Sequence, residues 1–276
     1  MKFKVDPASS GTLFILYGPS SSGKTMLSKA LDRFEIPFLV SHTTREMRAG
    51  ESEGVDYHYV NDKEFDELNL FEEVEHAGNR YGLAEEEFIA TFKHSDVATV
   101  VTEIEGIKEI ESHNLPIDIV KVFVIAPEEE IIDRLSDEDR ISRYIHDRKL
   151  SRHNDFNKLK ADELIYNKEG KFGHTLVQFF DILRRHVNQE EIPWGIPCQA
   201  QVDLLPLMEN EHFYGNYYRK EQGRYIAYNV HSESGGYVEE FDRLESCLYY
   251  LIGYEPEKLR EKELSINEDE SIQTYL

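Results

Sequence analysis

Two clusters of side chains in this chain have the types and spacing for phosphate chemistry. The first is Gly18-Pro19-Ser20-Ser21-Ser22-Gly23-Lys24-Thr25, which satisfies G-x-x-x-x-G-K-[ST]. Glycines at Gly18 and Gly23 let backbone N–H groups of Ser20, Ser21 and Ser22 turn inward around an anion, and a following helix N-terminus adds its dipole. Lys24 then reaches the β and γ oxygens of a nucleotide triphosphate, and the Thr25 hydroxyl can ligate Mg²⁺. The second cluster is Ser41-His42-Thr43-Thr44-Arg45-Glu46-Met47-Arg48-Ala49-Gly50-Glu51. Arg45 and Arg48, three apart, can present two guanidinium forks to one anionic group. With the hydroxyls of Ser41, Thr43, Thr44 and Tyr57 nearby, they suit a monophosphate pocket better than a pair of solvent-facing arginines in an otherwise acidic chain.

The elements around these clusters must hold them still. Thr12–Tyr17 (TLFILY) is a short apolar run ending at Gly18 and reads as a buried strand, with a helix from about Lys24 to Arg33 after the glycine loop. Phe38 to Ser41, Ala98 to Ile104 and Ile119 to Ile125 are further strand candidates separated by helical or turn-rich sequence. That alternation predicts an α/β fold of P-loop NTPase type, a mainly parallel sheet with helices on both faces. Residues 42–90, more polar and aromatic, predict a small lobe set over the sheet. Residues 128–155, charged and helical in pattern, carry Arg140, Arg143 and Arg148. Thr175-x-x-Gln178 has the form of a capping box for a helix with Leu176, Phe179, Phe180, Leu183 and Val187 on one stripe.

The chain has 276 residues, a net charge of -23 from 54 acids and 31 Lys and Arg, and 15 Phe and 16 Tyr. The aromatic content predicts a folded protein, and the negative field disfavours a non-specific nucleic-acid or membrane-surface binder. Cys198 and Cys247 stand outside any metal or redox spacing, so a reducing compartment and a cytoplasmic location are expected. No apolar run approaches the ~20 residues needed to cross a bilayer. His174, His186, His212 and His231 show no metal-ligand spacing.

With Gly54-Val55-Asp56-Tyr57-His58-Tyr59 and Gly78-Asn79-Arg80-Tyr81-Gly82 added, the two clusters fall in the order and spacing of a known pattern. The sequence resembles the guanylate kinase family of P-loop nucleoside monophosphate kinases over about residues 12–188. The resemblance implies ATP and Mg²⁺, GMP as acceptor, and a GMP phosphate held by Arg45, Arg48, Tyr57 and Tyr81, with Ser41 and Glu51 in the same segment. It further implies that Glu72 reads guanine, Glu73 being the other register, and that an arginine lid uses Arg148 with Arg140 or Arg143. Asn167 falls in the segment that the family places beside adenine. The departures lie on the guanine side. Leu83 stands where the family has Ser or Thr, Val101 replaces one acid, and Glu103 stands where a second acid is expected.

The predicted organisation is a domain over 1–188, a proline-containing linker over 189–206, and a small acidic, aromatic-rich α+β module of ββα type over 207–276. RYIAYNV and YVEEF flanking SESGG predict a hairpin there, and Arg243 to Ile252 a helix. The tyrosines and phenylalanines of this module are either the core of a small domain or a recognition surface, and its acidity suits a basic protein partner. Three functions stay open on these residues: GMP phosphorylation, transfer to another phosphorylated acceptor, and a nucleotide-binding regulator or scaffold. Scaffold relatives typically lose the loop lysine, which this chain keeps.

Overall fold

The computed structural model describes residues 11–76, 78–133, 141, 144–145, 161–190, 192–193, 195–200, 215–230 and 236–268. Strand β1 (Thr12–Tyr17) lies inside a four-stranded sheet with β6 (Val97–Val101), β7 (Asp118–Ile125) and β8 (Glu163–Tyr166). The order is β6-β1-β7-β8 and every pairing is parallel. Because side chains alternate across a strand, a sheet covered on both faces needs an unbroken apolar run, and β1 supplies one. Phe14 and Leu16 enter one core with Leu27, Leu31 and Phe179, while Leu13, Ile15 and Tyr17 enter the other with Phe88, Ile104 and Ile107. Helices α1 (Lys24–Asp32) and α6 (Phe172–His186) cover the first face, and α3 (Glu85–Thr91) and α4 (Ile104–Ser112) the second.

Three sequence expectations change, the first being the strand predicted at Ala98 to Ile104, which ends at Val101 while Ile104 begins α4. The strand predicted at Phe38 to Ser41 is one parallel bridge between Phe38 and Thr99, because the chain leaves the sheet immediately to start the lobe. The Thr175 capping box is absent: α6 begins three residues earlier, with no side-chain cap at Lys171. Thr175 instead donates to Asn167 Oδ1 at 2.9 Å. Gln178 pairs with the exposed edge of β8, accepting from Tyr166 N at 2.9 Å and donating to Tyr166 O at 3.0 Å.

The lobe is a second sheet, β3-β2-β5-β4, built from β2 (His42–Thr43), β3 (His58–Tyr59), β4 (Leu70–His76) and β5 (Asn79–Ala84). Short α2 (Asp62–Asp66) opens with a complete capping box from Asn61 and Glu64. Phe71 on β4 stacks on Phe88 with centroids 4.6 Å apart, which joins the lobe to the main core. Lys29 on α1 meets Asp56 at 2.5 Å and makes a second tie. Helix α5 (Glu128–Asp133) follows β7, and Tyr144 donates to Glu128 at 2.7 Å.

A third sheet, β12-β11-β10-β9, contains β9 (Cys198–Gln199), β10 (Gly215–Glu221), β11 (Arg224–Val230) and β12 (Tyr237–Phe241). The β10–β11 hairpin turns on Gln222 and Gly223, both at positive φ as a two-residue primed turn requires. β11 and β12 pair antiparallel, with Tyr225 opposite Phe241. Helices α7 (Leu244–Leu251) and α8 (Pro256–Glu268) complete the described chain. Leu244, Leu248 and Leu251 of α7 are buried, and Tyr249 lies 5.9 Å from Phe34, whose ring is 5.0 Å from Phe180. Residues from both ends of the chain therefore share one apolar cluster on the α1/α6 face of the sheet. Within 189–206, Ile196 is buried in that same cluster and β9 pairs with β10.

Candidate active site

The glycine loop leaves β1 at Gly18 and enters α1 at Gly23, with Gly18 and Gly23 at positive φ. Gly23 is the N-cap, it has no side-chain cap, and the first turn of α1 carries no acid. The first intrahelical bond is Leu27 N to Gly23 O at 2.9 Å, so the N–H groups before it point into the loop, where an anion is their natural acceptor. Lys24, 8% exposed, donates from Nζ to Gly18 O at 2.6 Å and Pro19 O at 2.9 Å, which places the ammonium across the loop mouth. Ser22 Oγ is buried without a hydrogen-bond partner among the described residues, and Ser20 is buried too. Ser21 holds φ +62, so the loop keeps a backbone conformation that favours inward N–H groups. Thr25 stands half-buried at the start of α1, one residue after Lys24.

Asn167, at the end of β8, is part of this loop's support. Its Nδ2 donates to Ser22 O at 2.9 Å, its Oδ1 accepts from Thr175, and its backbone N–H donates to Ile125 O at 2.7 Å. A Cβ on Gly23 would collide with the Asn167 amide, so glycine is required there for space as well as for φ.

The arginine cluster forms the second half of the site. Arg45 is 6% exposed, and its Nη2 donates to both oxygens of Glu51 at 2.9 and 3.0 Å. Its Nη1 donates to Glu46 O at 2.6 Å, and its Nε–H is buried with no acceptor among the described residues. The guanidinium lies over the Tyr57 and Tyr59 rings at 5.4 and 5.7 Å, and Tyr81 packs edge-on to Tyr57 at 5.6 Å. Glu51 also accepts from the Arg48 amide at 2.8 Å and from the Tyr59 hydroxyl at 2.7 Å, with Arg48 Nη1 at 3.8 Å. Burial works against the Glu51 charge, but these donors outweigh it and hold the carboxyl below its ordinary range. Burial likewise opposes the Arg45 charge, and Glu51 more than restores it. Ser41 is buried at the entry to the lobe, where its carbonyl accepts from His58 N at 3.0 Å.

Tyr59 is a member that sequence reasoning missed. The visible signal was its place in Gly54–Tyr59; the hydroxyl, which donates to Glu51, is what the structure uses. The Lys29–Asp56 pair, with Asp56 also accepting from Ser52 N at 2.9 Å, left no comparable signal.

On β4 of the lobe, Glu72 is 2% exposed and accepts from Thr102 Oγ1 at 3.2 Å. Burial pushes its carboxyl up to about 8, with Thr102 opposing and the acids Glu109, Glu103 and Glu73 reinforcing the rise. A Cβ on Gly106 would collide with both Thr102 and Glu72, so α4 can approach this carboxyl only with glycine at that point. Glu73 faces outward instead, pairing with Arg80 at 2.9 Å, which makes Glu72 the inward register. Glu103 is the N-cap position of α4 and acts on Glu72 electrostatically, while Leu83 is fully buried in the core and offers no hydroxyl. Arg140, Arg143 and Arg148 lie outside the described residues.

A parallel sheet whose first strand runs through a lysine-bearing glycine loop into a helix defines a P-loop nucleotide-binding protein of the α/β class. The family model described as guanylate kinase matches residues 10–181. The guanylate kinase of Nitrosococcus oceani is 31% identical over 180 residues, covering 60% of this chain and 85% of that protein. That of Thermobifida fusca is 36% identical over 145 residues, covering 50% and 73%. The crystal structure of guanylate kinase from Anaplasma phagocytophilum superposes with a TM-score of 0.47 at 24% identity, covering 73% of this chain and 95% of that one. The chain belongs to the guanylate kinase family.

Proposed function

We propose that this protein transfers the γ-phosphoryl group of ATP to a nucleoside monophosphate, with GMP as the acceptor. The observation that carries the reading is Arg45: a buried guanidinium, oriented by Glu51 and lying over the Tyr57 and Tyr59 rings, with a buried Nε–H that has no acceptor among the described residues. A phosphate monoester supplies that acceptor, and Arg48 adds a second cation to the same group.

The reaction is an in-line displacement, so the chain's task is positioning and charge neutralisation rather than covalent chemistry. The loop N–H groups and Lys24 would hold the β and γ oxygens of the donor, Lys24 exchanging its two carbonyl acceptors for phosphate. Mg²⁺ bound to the triphosphate would neutralise the developing charge, and Thr25 is the protein hydroxyl placed to ligate it. Arg45 and Arg48 would fix the acceptor phosphate opposite, with Tyr57 and Tyr81 closing its sides. Glu72, once ionised, offers the two acceptors that the N1–H and amino group of guanine require. The lid arginines Arg140, Arg143 and Arg148 are proposed to close over the transferred group.

The test is chromatographic analysis of products formed from ATP and Mg²⁺ with each nucleoside monophosphate, with Lys24→Ala as control. GDP formation that disappears in the variant is the expected result. Diphosphate formed only from a different monophosphate would move the specificity, as Leu83 and Val101 allow. No diphosphate from any acceptor would overturn the kinase reading in favour of a nucleotide-binding regulator.

A further inference from the structure

Strand β4 breaks its regular pairing at the residue before Glu72. Leu70 pairs with Ala84 of β5 and Glu72 with Leu83, so the ladder has one extra residue, Phe71, on the β4 side, a β-bulge. Side chains of an unbroken strand alternate between faces, and Phe71 and Glu72 would then point to opposite sides. Here both are buried, and alternation resumes beyond them with Glu73 outward, Val74 inward and Glu75 outward. The extra residue lets an apolar ring enter the core and the next carboxyl turn inward beside it.

Helix α4 and its flanks hold this bulge. Thr102, Gly106, Glu109 and His113 follow one another at steps of four, three and four residues, the spacing of a single helical stripe. Thr102 Oγ1 donates to Glu72 Oε2 at 3.2 Å, Gly106 leaves room for that carboxyl, and Glu109 Oε2 accepts from Glu73 N at 2.9 Å. His113, the C-cap of α4, closes the set with its Nε2 at 2.7 Å from Phe71 O. A carbonyl only accepts, so the ring nitrogen at this contact carries the proton and donates it. The imidazole also stacks on the Phe71 ring, centroids 4.7 Å apart at 19°, and Phe71 stacks in turn on Phe88. One side chain thus fixes both the backbone and the ring of the bulged residue.

We propose that His113 is a positioning residue for recognition of the acceptor's base: by holding the Phe71 carbonyl it sets the bulge that turns Glu72 inward to meet guanine. The inference rests on the GMP reading for its function and on the bulge for its mechanism. His113 touches neither the base nor the phosphates and acts only through the backbone beside Glu72.

A double-mutant cycle in the full chain tests it. His113→Phe keeps a stacked ring and loses the donor, and His113→Gln returns a donating amide near the Nε2 position. Steady-state kinetics should show KM for GMP raised about five- to tenfold in His113→Phe, with kcat and KM for ATP within about twofold of the parent, and most of the loss recovered in His113→Gln. In a Glu72→Gln background His113→Phe should add less than about twofold, because its effect passes through that carboxylate. An equal loss in both backgrounds, or KM for ATP rising together with KM for GMP, makes His113 a structural residue and overturns the inference. An unchanged KM for GMP in His113→Phe overturns it too. If Glu72→Gln leaves KM for GMP unchanged, the base contact and this inference fall together while phosphotransfer stands.

If the parent forms no GDP, the GMP reading fails, and carbon-13 NMR of the glutamate carboxyls decides the positioning without nucleotide. The Glu72 resonance, identified by its loss in Glu72→Gln, should titrate nearer the ordinary glutamate range in His113→Phe than in the parent and return in His113→Gln. A midpoint that His113→Phe leaves in place overturns the inference. Thermal melts accompany each variant. If His113→Phe melts early, His113→Asn, whose amide is too short to reach Phe71 O, reads the same outcomes.

Discussion

Asn167 holds Ser22: the side-chain Nδ2 donates to the Ser22 carbonyl at 2.9 Å across 145 residues of sequence, while Thr175 donates to the other end of the same amide. The last strand of the main sheet thus fixes the curvature of the phosphate loop. Asn167→Ala would leave the Thr175 hydroxyl and the Ser22 carbonyl without this partner in a buried setting, a loss of about 1–3 kcal/mol. We expect a lower unfolding midpoint in urea and weaker ATP binding together. Asn167→Asp tests the direction of the bond, since a carboxylate facing the Ser22 carbonyl repels it, and it should lose more ATP affinity than Asn167→Ala. Equal affinity in both would show that the amide does not shape the loop.

Glu51 gathers Arg45, the Arg48 amide and the Tyr59 hydroxyl on one carboxylate. Glu51→Gln removes the charge that orients Arg45, so KM for GMP should rise about tenfold or more with a smaller change in kcat, measured by steady-state kinetics. The sign on stability follows from the lowered carboxyl value. The folded state prefers the ionised form, so the contribution is present above the ordinary glutamate range and is lost as pH falls through the folded value. Thermal melts between pH 3 and pH 6, buffers spanning that range about pH 4.5, should show the variant less sensitive to acid than the parent.

Tyr59→Phe gives a finer test of the same carboxylate. The ring and its cation–π contact with Arg45 remain, and only the 2.7 Å hydroxyl donor is lost. The expected outcome is a small rise in KM for GMP, a few-fold at most, with kcat unchanged. A change as large as that of Glu51→Gln would mean that the hydroxyl, not the arginine, sets the carboxylate.

Glu72 behaves oppositely. Burial raises its folded value to about 8 against 4.5 in the open chain, so between those limits the folded state binds the extra proton. Stability should therefore fall as pH rises from about 4.5 to 8, and Glu72→Gln should flatten that slope in melts across the window. In the proposed contact with guanine Glu72 accepts as the ionised form, so GMP affinity in the parent should improve over the upper part of the same window. Isothermal titration in two buffers of different ionisation enthalpy would register the proton released on binding. A pH-independent affinity would remove Glu72 from base recognition.

Much of this arrangement was legible in the residues. The glycine loop is local, its chemistry follows from eight consecutive positions, and the apolar run of β1 announces a strand covered on both faces. The arginine pair and tyrosines were visible for the same reason, as short motifs. What escaped was non-local pairing. Thr175 and Gln178 have the spacing of a capping box, but helix α6 begins upstream, and tertiary partners at Asn167 and Tyr166 take both side chains. Asp56 reaching Lys29, and Thr102 reaching Glu72, join segments separated by about thirty residues, which no local period encodes. The strand predicted at Phe38 to Ser41 shortened to a bridge because the lobe claims the chain at His42.

The cluster shared by both ends of the chain also escapes local patterns, and it makes a prediction of its own. Phe34 and Phe180 from the family region pack with Tyr249, Leu248, Cys247 and Leu251 from α7, all of them 2% exposed or less. If 207–276 were an attached module, removing it would uncover only a polar rim. Here a chain ending at residue 188 would expose Phe34 and Phe180 to water at a cost of about 1.5–3 kcal/mol for each large side chain. We expect that truncation to aggregate or bind hydrophobic dyes, and Leu248→Ala in the full chain to lose about 2–5 kcal/mol in urea titrations although it lies far from the phosphate loop. A soluble 1–188 fragment that melts cooperatively at the parent's temperature would instead make the C-terminal elements a separable addition.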